Sequence, residues 1–261
     1  MTPTDSSTPD SDLEAGVLRV VLDRPERRNA INHELLDALH AAVDRTVTDD
    51  AVRAVVITGR GDTFCAGADI YDYAAFDTEQ FKAFTGRASS LCNRLTRARV
   101  PVIAAVNGLA LGGGFELAMA CDVVFAADDA SFGLPETSIG LIPGWHGTQR
   151  LTNAIGAKLA LESIWTGRRW SAHEARRLGL VNHVCEAGTV VARAVEFAAR
   201  FSSASPAAVT AAKSAVRRAA VENVDNGLPV ERAGLLDLFE HSGREGIAAF
   251  VEHRRPSWEG T

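Results

Sequence analysis

The chain has 261 residues, of which 46% are hydrophobic and 23% are charged. At roughly 150 residues per domain it forms one or two compact units with enough apolar residues for a core, which excludes a small disulfide-stapled scaffold and a mainly disordered chain. The formal net charge of −6 disfavours a general electrostatic hold on nucleic acid or on an anionic membrane.

The start of the chain and its cysteines indicate a cytoplasmic location. Residues 1–12 carry neither an apolar run nor Lys or Arg, so we expect a disordered tail rather than a signal or transit peptide. The four cysteines are far apart and form no C-x-x-C pair, which is typical of reduced, buried thiols. The stretch over residues 100–127 resembles a membrane span, but Pro101, Glu116 and Asp122 interrupt it, so we interpret it as core.

Strand and helix signals alternate through the first half of the chain. Short apolar runs predict four strands, which are Val17–Leu22, Ala54–Thr58, Val102–Val106 and Val123–Ala126. Helical spacing of apolar residues predicts helices over His33–Val47, which Asn32 would cap, over Glu79–Arg99 and over Phe115–Cys121. The strands are apolar on both faces, as in a parallel sheet covered by helices, so we predict an α/β core.

Helix signals dominate from Gly147 onward. The C-terminal region contains three predicted helices, over Ala207–Val221, Leu228–Glu240 and Glu245–Arg254. We therefore divide the chain into the tail, a core over residues 13–200 and a helical segment over residues 201–261.

Asn107–Asp122 reads NGLALGGGFELAMACD, a buried strand followed by three glycines and a short helix with Glu116 in its first turn. In one interpretation Glu116 only complements the helix dipole, and the glycines permit close packing. In the other, backbone N–H groups at the helix start form half of an oxyanion hole beside a carboxylate. The segment by itself leaves both interpretations open.

Two further segments share this character. The small-residue loop Asp62–Ile70 follows a strand and can present a second backbone N–H. Glu136 is an isolated acid among apolar residues, although an acid directly after Pro135 also suits an ordinary helix start. Two isolated carboxylates with two candidate N–H donors indicate acid/base chemistry beside a carbonyl.

Six motifs in chain order resemble the crotonase superfamily, the enoyl-CoA hydratase/isomerase family. They are RPERRNAIN, FCAGADI, NGLALGGGFELAMACD, SFGLPETSIGLIPG, GTQRL and FVEHRRPSW, and they span nearly the whole chain after residue 12. The resemblance implies a spiral of ββα units with C-terminal helices that mediate assembly into a trimer or hexamer.

The resemblance also implies the site. Its oxyanion hole would be the backbone N–H groups of Ala68 and Gly113, and Glu116 and Glu136 would be the paired carboxylates. The implied substrate-binding residues are Arg28, Ala30, Ala66, Asp69, Ile70, Gly144, Arg254 and Arg255. The implied reaction is hydration of a 2-enoyl-CoA thioester with no metal and no cofactor beyond the coenzyme A of the substrate; the alternative is an enoyl-CoA isomerase or another acyl-CoA lyase.

This sequence departs from the family pattern at two places. Tyr71 stands where many members carry Lys or Arg near the coenzyme A phosphates, so Arg27 and Arg28, or the two C-terminal arginines from a neighbouring subunit, become the candidates, unless they are ordinary surface arginines. Trp145-His146 follows Pro143-Gly144, and family members usually have a small residue or glycine at the position of His146. We expect the pocket walls to come from Tyr71–Phe84 and from Leu141–His146. We expect His146 itself either to reshape the acyl end of the pocket or to face solvent or an interface.

Other classes of function fit the sequence less well. An RNA-binding branch of the family uses a lysine-rich first helix, whereas this helix carries several aspartates, so we expect no nucleic acid partner. A non-catalytic assembly subunit would not need both acids. For the hydratase reaction, we assign Glu116 to holding and deprotonating water. We assign Glu136 to protonating the substrate at Cα.

Overall fold

The structure, a computed structural model, describes residues 10–220, 222 and 224–258, and ten strands lie in this part of the chain. They are β1 (Asp10–Glu14), β2 (Val17–Leu22), β3 (Ala54–Gly59), β4 (Thr63–Cys65), β5 (Val102–Val106), β6 (Leu109–Leu111), β7 (Val123–Ala127), β8 (Ser131–Gly133), β9 (Arg169–Ser171) and β10 (His183–Cys185).

Eleven α-helices are described in the same residues. They are α1 (His33–Thr48), α2 (Ile70–Ala75), α3 (Thr78–Arg97), α4 (Gly113–Ala120), α5 (Gly147–Ile155), α6 (Ala157–Thr166), α7 (Ala172–Arg177), α8 (Val190–Ala199), α9 (Pro206–Ala219), α10 (Val224–Leu238) and α11 (Arg244–Val251).

The strands form two sheets. The larger has the order β1-β2-β3-β5-β7-β10 and is parallel except for the β1–β2 pair. The smaller has the order β4-β6-β8-β9, with β9 antiparallel to β8. Every residue of β3 and β5 is buried, as expected for central parallel strands with both faces covered. This confirms the predicted α/β class and the four predicted strands.

The predicted tail is wrong at its C-terminal end. Residues 10–12 belong to β1, which pairs with β2 in antiparallel register, and the Arg19 guanidinium donates two hydrogen bonds to the Asp12 carboxylate at 3.0 and 2.8 Å. An edge strand exposes one side to water and tolerates polar residues, so the composition of this segment did not reveal it. Residues 1–9 of the predicted tail lie outside the described residues.

The starts of α1 and α9 agree with the predictions to within one residue and have side-chain caps, whereas α4 and α10 begin at Gly113 and Val224, before their predicted starts. The Asn32 side chain accepts a hydrogen bond from the Leu35 N–H at the start of α1, and Ser205 accepts from the Ala208 N–H at the start of α9. The predicted gap between the last two helices is instead a π-helical turn over Phe239–Gly243, which joins α10 to α11 without a break. No helix in the described residues is both long enough and apolar enough to span a bilayer.

Candidate active site

A cavity of about 410 Å³ lies where three segments meet: the loop after β4, the start of α4 and the loop between β8 and α5. It brings together seven of the residues proposed from the sequence, which are Ala66, Ala68, Ile70, Gly113, Glu116, Glu136 and Gly144. Residues far apart in the sequence thus share one cavity, which favours a functional interpretation of both acids.

Two backbone N–H groups are free to bind a ligand in this cavity. The Ile31 N–H donates to the Gly67 carbonyl and the Asp69 N–H donates to the Ile31 carbonyl, so the N–H of the intervening Ala68 points away from that bridge. Gly113 is the first residue of α4, where backbone N–H groups have no acceptor within the helix. Within the described residues neither N–H donates to a protein acceptor. A Cβ on Gly67 would lie 3.1 Å from the Gly113 nitrogen, so the two segments are in contact.

Each of the three consecutive glycines is required by a close neighbour. Gly112 has a φ of +52°, and a Cβ there would lie 3.1 Å from Glu136 Oε1. A Cβ on Gly113 would lie 2.3 Å from a ring carbon of Trp145, and one on Gly114 would lie 2.1 Å from the Cys65 carbonyl oxygen. The glycines therefore allow the start of α4 to approach the β4 loop, the Trp145 ring and the Glu136 carboxylate.

Glu116 is held by the start of helix α5. The N–H groups of Trp145 and Gly147 donate to its Oε1 at 2.7 and 2.6 Å, and its side chain is only 1% exposed. Burial raises the pKa of Glu116 to about 7, against the lowering effect of the Gly147 hydrogen bond, and the nearby Glu136 raises it further. The group can therefore gain and lose a proton near neutral pH.

Glu136 lies in a different environment. It starts a 3-10 turn over Glu136–Ile139, and its Oε2 is buried without a hydrogen-bond partner in the described residues. Burial raises the pKa of Glu136 above its ordinary value. An unpartnered buried carboxyl oxygen favours the neutral acid, which can donate a proton into the cavity.

The side chains of Trp145 and Tyr73 are parts of the cavity wall, and they lie in the two stretches that the sequence indicated as walls. The indole N–H of Trp145 donates to the Tyr73 hydroxyl, and burial raises the pKa of Tyr73 to about 12. Residues 71–84 supply wall through Tyr73 and Phe81, and residues 141–146 supply it through Leu141, Ile142 and Trp145. The departure from the family pattern at Trp145-His146 indicated this part of the wall. The expectation fell on His146, whereas Trp145 is the residue that lines the cavity.

His146 does not line the cavity of the two acids, so the pocket-shaping alternative for it is wrong. The residue has a φ of +81° directly before α5, and its Nε2 lies 2.7 Å from the Ser89 hydroxyl of α3. It lines a separate cavity of about 820 Å³ together with Arg150. The two consecutive residues point to opposite sides of the loop, so Trp145 enters one cavity and His146 enters the other. Burial, helped by the Arg150 charge, lowers the pKa of His146.

The other sequence-derived binding residues do not line the cavity of the two acids. Arg28 is in the left-handed region at φ +52°, and its carbonyl accepts from the Ala66 N–H, which ties the two segments together. Ala30 is buried, and its carbonyl accepts from the Arg24 guanidinium at 2.6 Å. Asp69 is buried, caps α2 by accepting from the Tyr71 N–H, and pairs with Arg24 at 3.0 Å.

The two C-terminal arginines lie on the surface. Arg254 pairs with Glu245 and Glu252, each at 2.6 Å, and its guanidinium also donates to the Arg255 carbonyl. Arg27 instead covers the exposed ring of Tyr71, with its guanidinium 4.7 Å from the ring centroid. No group of three or more His, Cys, Asp or Glu side chains in the described part of the chain is arranged to hold a metal ion.

Two backbone N–H groups and two carboxyl groups with raised pKa values line one cavity, an arrangement that can polarise a carbonyl and move protons beside it. A family model described as "Enoyl-CoA hydratase/isomerase" matches residues 12–261. The chain belongs to this enoyl-CoA hydratase/isomerase family, within the crotonase superfamily.

Individual relatives agree with this membership. A "Probable enoyl-CoA hydratase echA8" of Mycobacterium bovis is 42% identical over 92% of this chain and 93% of its own length. A "Probable enoyl-CoA hydratase 2, mitochondrial" of Arabidopsis thaliana is 37% identical over 96% and 84%, respectively. A crystal structure of an enoyl-CoA hydratase from Bacillus anthracis has a TM-score of 0.93 at 36% identity, covering 97% of this chain and all of that one.

Proposed function

We propose that the protein is an enoyl-CoA hydratase, which adds water to a 2-enoyl-CoA to give a 3-hydroxyacyl-CoA. The observation that carries the proposal is that Glu116 and Glu136 line the same cavity as the free N–H groups of Ala68 and Gly113. Hydration needs both kinds of group, because the carbonyl must be polarised while one proton leaves water and another reaches carbon.

The thioester carbonyl oxygen accepts hydrogen bonds from the Ala68 and Gly113 N–H groups. As water adds at C3, charge accumulates on this oxygen, and each donor aimed at it stabilises the enolate-like transition state by about 3 kcal/mol. The position of Gly113 at the start of α4 adds the favourable end of the helix dipole.

The two carboxyl groups divide the proton transfers. Glu116 accepts two N–H bonds, which favour its ionised form, so it takes a proton from the attacking water. Burial raises the pKa of Glu136 and its Oε2 has no hydrogen-bond partner in the described residues, which favours the neutral acid that delivers a proton to C2. One water is thereby added across the double bond, and the proton returns from Glu116 to Glu136 before the next turnover. The reaction is redox-neutral and is proposed to need no metal or redox cofactor.

The binding of coenzyme A and the assembly of the protein are parts of the same proposal. Arg27 and Arg28 are proposed to meet the coenzyme A phosphates, with Arg254 and Arg255 contributing from a neighbouring subunit of a trimer or hexamer. All four cysteines are free, and three of them are buried, which supports a cytoplasmic location.

The test is to incubate the protein with 2-butenoyl-CoA and follow the loss of the conjugated-thioester absorbance, with the product identified by mass. We expect a gain of one water. A protein that instead conjugates 3-enoyl-CoA and leaves 2-enoyl-CoA untouched is an isomerase, and one that acts on neither thioester contradicts the proposal.

A further inference from the structure

We propose that Trp145 and Tyr73 together limit the acyl chain at the inner end of the cavity, so that the site selects short, uncharged acyl groups. The proposal rests on the proposed function of this cavity, because it assumes that the acyl thioester binds there. It concerns two side chains that have no part in the proton transfers described above.

The Trp145 ring lies beside the reacting groups. It is 3% exposed, and three of its ring carbons occupy the space where a Cβ on Gly113 would stand, at 2.3 to 2.7 Å. Its own backbone N–H binds Glu116 Oε1. The indole therefore lies next to the Gly113 N–H and to Glu116. An acyl chain that extends from C3 toward the indole would contact the ring after a few carbon atoms.

Tyr73 continues the wall beside Trp145. It lies on α2, and its hydroxyl accepts the indole N–H, which links α2 to the loop before α5. Behind the pair, Tyr73 contacts Phe81 and Phe84 edge-on at centroid distances of 4.9 and 5.7 Å, and Phe84 lies 6.3 Å from Trp145. Packed aromatic rings fix both side chains, so the wall does not yield easily to a longer chain.

The charge of the lining excludes acidic acyl groups. The two acids line the cavity, whereas no Lys, Arg or His of the described residues does. A carboxylate at the end of the acyl chain would be desolvated beside two carboxyl groups with no cation to pair with it. The favoured substrates are therefore short acyl thioesters without a terminal charge.

The test measures the binding of saturated acyl-CoA thioesters by calorimetry, because binding reports chain selection without depending on turnover. The ligands are butanoyl-, hexanoyl-, octanoyl- and dodecanoyl-CoA, with glutaryl-CoA as the charged probe. For the unmodified protein we expect octanoyl-CoA to bind no tighter than butanoyl-CoA, and glutaryl-CoA to bind at least tenfold more weakly than butanoyl-CoA.

Variants then identify the side chains responsible. Trp145→Ala should raise the affinity for octanoyl-CoA relative to that for butanoyl-CoA by at least tenfold. The reason is that each additional methylene buried in an apolar pocket increases the binding affinity by a large factor. Tyr73→Phe and Trp145→Phe each keep an aromatic ring but lose the hydrogen bond between the indole and the hydroxyl. Each should raise the ratio of octanoyl-CoA affinity to butanoyl-CoA affinity about threefold. Trp165→Phe is the control, since Trp165 is 70% exposed on α6.

The outcomes separate this proposal from the proposed function. Octanoyl-CoA binding at least tenfold tighter than butanoyl-CoA in the unmodified protein overturns it. The proposal is also overturned if Tyr73→Phe and Trp145→Phe leave the ratio of octanoyl-CoA to butanoyl-CoA affinity unchanged. These two variants provide the test if Trp145→Ala does not fold. A protein that shows the length limit but hydrates no 2-enoyl-CoA disproves the hydratase function only, and one that hydrates butenoyl-CoA but shows no length limit disproves this proposal only.

Discussion

Glu116 and Glu136 have the same type of side chain but lie in two different environments. Oε1 of Glu116 accepts two backbone N–H groups, whereas Oε2 of Glu136 is buried without a partner. Two carboxyl groups that work as base and acid at the same pH must differ in the proton they hold. Burial raises the pKa of both groups, and the hydrogen bonds distinguish them: two N–H groups stabilise charge on Glu116 Oε1, whereas Glu136 Oε2 has no partner in the described residues.

Replacing either acid by its amide should stop turnover and leave binding intact. We expect Glu116→Gln and Glu136→Gln each to lower kcat by about 10²- to 10⁴-fold, the range that a positioned acid or base contributes. A glutamine oxygen can still accept from the Trp145 and Gly147 N–H groups, so the loop keeps its support. Steady-state hydration with butanoyl-CoA titration as the binding control checks this, and near-normal kcat in either variant removes that residue from the mechanism.

Glu116 should also make the stability depend on pH. Its pKa is about 7 in the folded protein against an ordinary 4.5, so the folded state binds more protons between these values and loses stability as the pH rises. The cost above pH 7 is on the order of 3 kcal/mol. Glu116→Gln cannot ionise, so it should gain stability over the unmodified protein from pH 4.5 to 8. Urea unfolding at pH 5, 6.5 and 8 checks this, and a difference independent of pH contradicts it.

At the residue scale, the sequence identified both acids and the two stretches that form the cavity wall, but not which side chains of these stretches enter the cavity. Isolated acids between glycines and apolar residues stand out in a one-dimensional pattern. Which of two neighbours, Trp145 or His146, enters the cavity depends on the backbone of the loop, where His146 has a φ of +81°. No spacing in the sequence reports that angle.

Helix α2 has only six residues, yet it starts two residues after Ala68. Its cap, Asp69, also pairs with Arg24, so one buried carboxylate fixes the helix start to the segment before α1. The position of the Ala68 N–H thus depends on Asp69 through the backbone. This gives Asp69 a positioning role in place of the ligand contact expected from the sequence.

Asp69→Ala should therefore affect catalysis, whereas loss of an ordinary cap should not. We expect Asp69→Ala to cost about 3 kcal/mol of stability, because it leaves Arg24 unpaired, and to lower kcat at least tenfold. The matched control is Asp77→Ala, which removes the exposed capping box of α3, costs about 1 kcal/mol and leaves kcat unchanged. Equal kcat in the two variants means that Asp69 supports the fold only.

At the element scale, the central strands and the capped helices follow from local pattern. β3 and β5 are apolar throughout, and α1 and α9 have side-chain caps. The three-residue strands of the smaller sheet carry no such pattern, because pairing with distant segments creates them. The first strand was missed for a different reason, because an edge strand tolerates polar residues and its composition resembles that of a tail.

Across the whole molecule, exposed apolar side chains concentrate on the C-terminal helices. The exposed apolar residues of α10, α11 and the π-turn between them are Leu228, Leu235, Leu236, Phe239, Ile247, Phe250 and Val251. Clustered exposure of this kind marks a surface that another protein covers. The predicted partner is a second copy of the chain.

Light scattering should accordingly report a trimer or hexamer. The double variant Leu235→Asp/Phe250→Asp places charges where side chains are 66% and 81% exposed, so the subunits should separate while circular dichroism stays unchanged. Val47→Asp, at a similarly exposed position on α1, should leave the mass unaltered. A monomeric unmodified protein at micromolar concentration contradicts the prediction.

The bond between Glu116 and the start of α5 has a consequence for the timing of the reaction. Charge-assisted hydrogen bonds are roughly twice as strong as neutral ones, and here a single oxygen atom receives both N–H groups. In the proposed mechanism Glu116 becomes neutral when it takes the proton from water, so its hydrogen bonds to the loop that carries Trp145 should weaken as the product forms. The loop should tighten again when the proton leaves, so that each catalytic cycle is also a cycle of loosening and closing around the acyl group.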